Sequence, residues 1–251
     1  MEIALDRKLI SSLDEPISTY IPEFNKNKEP FHKLITIRHL LTMSSGIFWN
    51  GGIHYHCPLM IQMRRSKNWI SHISDCMMKD FPGTKYNYKE WDVILLTKIL
   101  DNTCKDTFDF INENIYKPLE IKSERWFRSD CGVYYSVGTD EENGNTSNLS
   151  AHSLLKIGQL FLQDGIYNQK RIVASDYIKE AITPSPNNSG YGYLWWLGKN
   201  WYGCRGYGGQ SITVFPENER IIVTQATPTS RVMSYDDVIW FSNNAIQAEY
   251  N

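Results

Sequence analysis

A chain of 251 residues, 41% apolar and 13% aromatic, is long enough to bury a core as one large domain or two small lobes. Its formal net charge of -2 leaves no basic footprint for nucleic acid, and no run of sequence approaches the apolar length that spans a bilayer. Five scattered cysteines (Cys57, Cys76, Cys104, Cys131, Cys204), an odd number without C-x-x-C spacing, disfavour a disulfide framework and a structural zinc site.

The first residues, Met1 to Arg7, carry acid and base with no cleavable apolar region, which predicts a cytoplasmic protein with reduced thiols. They read as the end of a helix that stops before Asp14-Glu15-Pro16. Tyr20 to Phe24 is predicted extended and is followed by a polar loop through Lys28. Thr36 is placed to cap a short helix, Ile37 to Met43, closed by Ser45-Gly46. Residues 59–78 have a ragged helical pattern. Pro82-Gly83 predicts a turn, followed by an apolar helix from about Trp91 to Leu100 and another from Thr107 to Ile115.

A polar loop spans Gly138 to Asn148, after which Ser150 caps a helix with Leu154, Ile157 and Phe161 on one face. Asp164-Gly165 closes that helix, and Ser175 starts another. From Tyr191 the pattern turns β-rich: Tyr191–Leu197, Ser211–Phe215 and Arg220–Gln225 are separated by glycines and by Pro216-Glu217-Asn218. A last helix from Asp236 sets Val238, Phe241, Ala245 and Ala248 on one stripe. Helices in the middle and an antiparallel sheet with a covering helix at the end predict an α+β fold.

Three segments carry more than a fold. They are Ile35-Thr36-Ile37-Arg38-His39-Leu40-Leu41-Thr42-Met43-Ser44-Ser45-Gly46, then Pro82-Gly83-Thr84-Lys85-Tyr86-Asn87-Tyr88 leading into Leu95-Leu96, then Arg205-Gly206-Tyr207-Gly208-Gly209-Gln210 behind Tyr191–Trp196. In this order and spacing, from about Ala4 to Val223, the chain resembles the β-lactamase-related serine hydrolases. That family includes class C β-lactamases, penicillin-binding proteins and, nearest in pattern, the 6-aminohexanoate-dimer hydrolases and esterases.

The resemblance implies a β-lactamase/transpeptidase-like α+β fold, a helical lobe packed on an antiparallel sheet. It implies one domain over 1–251, helical at about 30–185 and ending in the sheet and helix at about 190–251. Family chemistry uses a Ser-x-x-Lys pair one helical turn apart, activated with a Tyr from a Tyr-x-Asn loop, to form an acyl-enzyme. A strand edge beside the site supplies N–H groups to the oxyanion. By this resemblance Tyr88 is the motif tyrosine, Glu90 replaces the motif Asn, and Tyr207, Gly208 and Gly209 take the strand-edge triplet, with Tyr207 where Lys or His is usual. A small-molecule amide or ester substrate is implied, with no cofactor, metal, nucleic acid or membrane partner.

The sequence departs from the family in two places. Lys89-Glu90 follow Tyr88 where a small residue and an Asn or Ser are expected, which removes an amide donor and adds a carboxyl. At the front, the family's Ser-x-x-Lys comes shortly before a stretch such as Ile3 to Pro16, so the nucleophile is expected two to three helical turns ahead of Met1. This predicts a chain without the N-terminal strands and most of the nucleophile helix, inactive by itself and inclined to self-associate through an unpaired sheet edge. The sequence contains one Ser-x-x-Lys, Ser153-Leu154-Leu155-Lys156, on a predicted scaffold helix after the tyrosine motif instead of before it. No G-x-S-x-G elbow is present.

Two other readings stand beside this one. In the first, a pseudoenzyme retains the site as a binding surface. In the second, His54, His56 and Cys57 hold a hydrolytic metal, although a loop lining the substrate site suits them better. His39 is expected to make a structural hydrogen bond, Cys204 to be inert, and Trp195 and Trp196 to face opposite ways.

Overall fold

Caps, prolines and glycines punctuate the first half of the chain every few residues, and short helices result. The computed structural model describes residues 1–25, 29–51, 57–123, 125–134, 149–206, 209–225 and 244. They cluster into two units: one from Met1–Asn114, Glu124–Ser147 and Ser185–Asn188, the other from Ile115–Ser123, Asn148–Pro184 and Ser189–Asn251. The polar loop at 138–148 and the helix expected from Asp236 lie outside the described residues, Asn244 excepted.

In the first unit α1 (Glu2–Asp6) is followed by 3-10 turns at Ile17–Thr19, Pro22–Asn25 and Pro30–Leu34. The stretch expected to be extended is therefore turned. Proline's fixed φ suits the first position of such a turn, and the turn buries Ile21 and Phe24 completely. Helix α2 (Ile37–Leu41) starts where expected. Thr36 Oγ1 accepts from His39 N–H, and His39 Nδ1 accepts from Thr36 N–H, a reciprocal capping box with a histidine in the usual Glu position.

The ragged segment resolves into α3 (Pro58–Arg65) and α4 (Trp69–Ser74), the latter capped by Asn68. Helix α5 (Glu90–Cys104) runs four residues past its expected end and packs on α2. Trp91, Leu95 and Ile99 on α5 are fully buried, as are Ile37 and Leu40 on α2. Each such aliphatic side chain stabilises by about 1.5–3 kcal/mol, which compensates for helices too short to stand alone. Helix α6 (Thr107–Ile111) is capped by Asp106 and continues into a π turn at Asn112–Tyr116.

In the second unit α7 (Ala151–Leu162) is capped by Ser150, whose hydroxyl accepts from Ser153 N–H. A two-stranded ribbon, β1 (Ile166–Tyr167) and β2 (Lys170–Arg171), precedes α8 (Ser175–Ala181). Then β3 (Trp196–Leu197), β4 (Tyr202–Gly206), β5 (Gln210–Phe215) and β6 (Arg220–Thr224) form an antiparallel sheet in sequence order. Residues 191–195, read from sequence as strand, are mostly irregular because Leu194 sits at φ 61, which breaks the extended run.

Helix α7 lies against β5 and β6 at Gly158, where an added Cβ would stand 2.8 Å from Ile221 Cγ2 and 3.0 Å from Ile212 Cγ2. Leu154, Ile157 and Phe161 are half-buried, whereas Ser153, Gly158 and Leu160 are the fully buried positions of that helix.

Candidate functional site

The first two motifs interlock through their backbones. Ser44 C=O accepts from Gly83 N–H at 2.8 Å, and Met43 C=O accepts from Asn87 N–H at 2.8 Å. Asn87 Nδ2 donates to Trp49 C=O at 3.3 Å, and Asn187 Nδ2 donates to Gly83 C=O at 2.7 Å. Gly46 has φ 79, and an added Cβ would meet Asp80 O at 2.2 Å. Gly83 has φ 78, and its Cβ would meet His39 Nε2 at 2.6 Å. Both glycines are therefore required by close approach as well as by conformation. His39 keeps its structural part, and burial lowers its pKa, favouring the neutral ring that accepts from Thr36.

This clamp delivers residues 88–90 to one place. Lys89 is fully buried in extended conformation, φ -155 and ψ 142, as the residue before α5. Its Nζ donates to Ser45 Oγ at 3.1 Å and lies 3.6 Å from Asp92 Oδ2, while Ser45 Oγ donates to Asp92 Oδ1 at 2.6 Å. All three side chains are 0% exposed. Burial raises the Asp92 pKa, and Lys89 and then Ser45 oppose that shift. In the sequence Lys89 stands only as a departure from the family pattern. Its spacing of three from Asp92 was the available signal.

Tyr88 and Glu90 flank the extended Lys89 and are half-buried. Side chains two apart across an extended residue project to the same side, opposite the one between them. With Lys89 turned into the core, this alternation puts Tyr88 and Glu90 on the side opposite to it. Burial pushes the Glu90 carboxyl up to about 7, with Arg64 pulling weakly the other way. Trp49 and Trp91 stack edge-to-face at 5.1 Å within the same unit's core.

In the second unit the strand-edge motif follows β4. Tyr207 and Gly208 lie outside the described residues. Gly209 is described at φ 96, with its N–H directed to Gly206 C=O at 3.4 Å and its C=O accepting from Thr224 Oγ1 at 2.7 Å. Arg205 stacks over the rings of Trp201 at 4.6 Å and Trp196 at 5.5 Å. Trp195 is buried against Phe161 and Tyr202. Burial pushes the Cys204 thiol up to about 12, consistent with an inert sulfur.

The internal Ser-x-x-Lys does not form a reacting pair. Ser153 Oγ bonds to Ser150 Oγ at 3.1 Å, and Lys156 Nζ donates to Glu120 C=O at 2.9 Å. His54 and His56 lie outside the described residues. Cys57 is buried at the start of α3, and among the described residues no three His, Cys, Asp or Glu side chains gather as metal ligands. No helix among the described residues is long and apolar enough to cross a membrane.

Residues 4–237 match the family described as Beta-lactamase. A curated but uncharacterized protein of Alkalihalophilus pseudofirmus is 25% identical, over 88% of this chain and 67% of its own. Among solved structures, a candidate 6-aminohexanoate-dimer hydrolase from Bacillus anthracis superposes with TM-score 0.69 at 20% identity, covering 98% of this chain and 68% of that one. A penicillin binding protein from Bacillus halodurans superposes with TM-score 0.68 at 17% identity, covering 96% and 80%. These neighbours share the β-lactamase/transpeptidase-like α+β fold, and with the family match running over nearly its whole length, the chain belongs to the Beta-lactamase family.

Proposed function

We propose that this chain is the body of a serine-type hydrolase that opens amide or ester bonds through an acyl-enzyme, acting as one β-lactamase-related domain. The observation that supports the reading is the clamp between the motifs: the Ser44–Gly83 and Met43–Asn87 backbone bonds hold the segment just before Tyr88 to the turn after α2. Tyr88 is the proton-handling residue of the site. The one Ser-x-x-Lys in the sequence is committed to Ser150 and Glu120, so the reading takes its nucleophile from a segment outside these 251 residues.

Intact mass after exposure to a fluorophosphonate tests this. The chain by itself is expected to remain unmodified, and a chain extended upstream by a Ser-x-x-Lys segment to gain one adduct on that serine. A stoichiometric adduct on Ser153 or Ser45 of the chain itself would contradict the reading. A second reading, binding without turnover, draws on Lys89 and Glu90 standing where a small residue and an amide are usual. It predicts that the extended chain binds amides and still takes no label.

A further inference from the structure

The family pattern leaves one feature of the site without a use: a carboxyl at position 90. Glu90 opens α5, and its neighbour Lys89 is locked into the core by Ser45 and Asp92. That lock fixes the direction of the residues on either side. Across the extended Lys89, Tyr88 and Glu90 present their side chains on one face, with Cα atoms about 7 Å apart. This spacing lets a single small molecule meet both.

The carboxyl has unmet capacity. Lys89, the cation nearest in sequence, is consumed by Asp92, and Arg64 of α3 acts on Glu90 only through space. Among the described residues no group donates a hydrogen bond to the Glu90 carboxyl. A half-buried carboxyl without a donor is poorly solvated, and a cation or strong donor brought by a ligand restores what burial removed.

We infer that the face shared by Tyr88 and Glu90 selects amide or ester substrates that carry a protonated amine, with the Glu90 carboxylate receiving the ammonium. This rests on the hydrolase reading, since it names the substrate class of the same site. It also explains why an amide is not needed at position 90: an Asn accepts a hydrogen bond as a neutral group, whereas a carboxylate forms the stronger charge-assisted bond to a cation. The raised Glu90 pKa adds a signature. An ammonium ligand stabilises the charged carboxylate, so binding near pH 7 must release a proton.

The test uses the full chain and two probes of matched shape, 4-aminobutanamide and its neutral isostere pentanamide, with binding followed by ligand-observed NMR and calorimetry. At pH 8 the aminoamide is expected to bind at least tenfold tighter than pentanamide. The preference should shrink at pH 6, and calorimetry in buffers of different ionisation enthalpy should report proton release on binding at pH 7. Glu90→Gln, nearly isosteric, should abolish both the preference for the aminoamide and the proton release. Equal binding of both probes to the wild-type chain overturns the inference and leaves the hydrolase reading intact. Binding of neither probe overturns the inference, and fluorophosphonate labelling of the extended chain then decides the hydrolase reading separately. The proton-release measurement needs no variant, so its absence alongside tight aminoamide binding also overturns the assignment to Glu90.

Discussion

The ammonium of Lys89 lies 3.6 Å from the Asp92 carboxylate with neither side chain exposed, and the hydroxyl of Ser45 bonds to both. A buried pair of this kind contributes little over an apolar pair of the same volume, but breaking it strands a charge in the core. Here it also ties the start of α5 to the turn after α2, two elements that carry different motifs of the site.

Lys89→Ala is therefore expected to cost about 3–5 kcal/mol, and Asp92→Ala a similar amount. The double replacement Lys89→Met with Asp92→Leu should recover most of that loss. Urea unfolding of the four chains checks it, and additive losses in the double variant would show that the pair is not coupled.

Glu90 predicts a pH dependence. Its pKa is raised from 4.5 to about 7 by burial, so the folded chain holds a proton that the unfolded chain has released between those values. Its contribution to stability is present below about pH 4.5 and is lost as pH rises through 7. Glu90→Gln removes the penalty. It should stabilise the chain by on the order of 2 kcal/mol at pH 8 and by almost nothing at pH 4.5. Thermal or urea unfolding at the two pH values gives the answer, and an equal effect at both would contradict it.

In the second unit, Gly158 sets the distance between α7 and the sheet. A valine there must displace Ile221 and Ile212, whose methyl carbons stand 2.8 and 3.0 Å from the added Cβ. Gly158→Val should destabilise by about 1–3 kcal/mol despite the better helix propensity of the new residue, whereas Leu155→Ala on the exposed side of the same helix should change stability by less than about 1 kcal/mol.

Asp106 holds three elements at once. It caps α6 through Asp109 N–H, pairs with Arg125 at 3.0 Å and accepts from Tyr134 Oη at 2.6 Å. Asp106→Ala should cost about 1–2 kcal/mol through the cap alone. It should also raise amide exchange and proteolysis across residues 125–134, an effect that a cap lost in isolation would not produce.

Most of the helices and the β5–turn–β6 hairpin were legible because local chemistry decides them. Thr36, Ser150 and Ser175 mark helix starts, and Pro216-Glu217-Asn218 makes the turn between Phe215 and Arg220. Strand β4 was missed because Tyr202–Gly206 is glycine-rich with low strand propensity. Pairing with β5 makes it a strand, and Gly203 permits the close approach, since its Cβ would lie 2.3 Å from Ile212 O. The turns around Pro22 were read as extended because proline suits both states, and the choice between them came from burying Phe24. At the site, Tyr88 followed from the motif, but the inward course of Lys89 did not. Its direction is set by Ser45, 44 residues earlier in the chain, a contact that no local pattern carries.

The most direct test of the central claim is turnover of a p-nitrophenyl ester by the chain extended upstream with a Ser-x-x-Lys segment, compared with the same protein carrying Tyr88→Phe. The account predicts measurable hydrolysis that falls by at least about 100-fold in kcat in the variant, with its melting temperature little changed. Equal rates for tyrosine and phenylalanine at position 88 would contradict it.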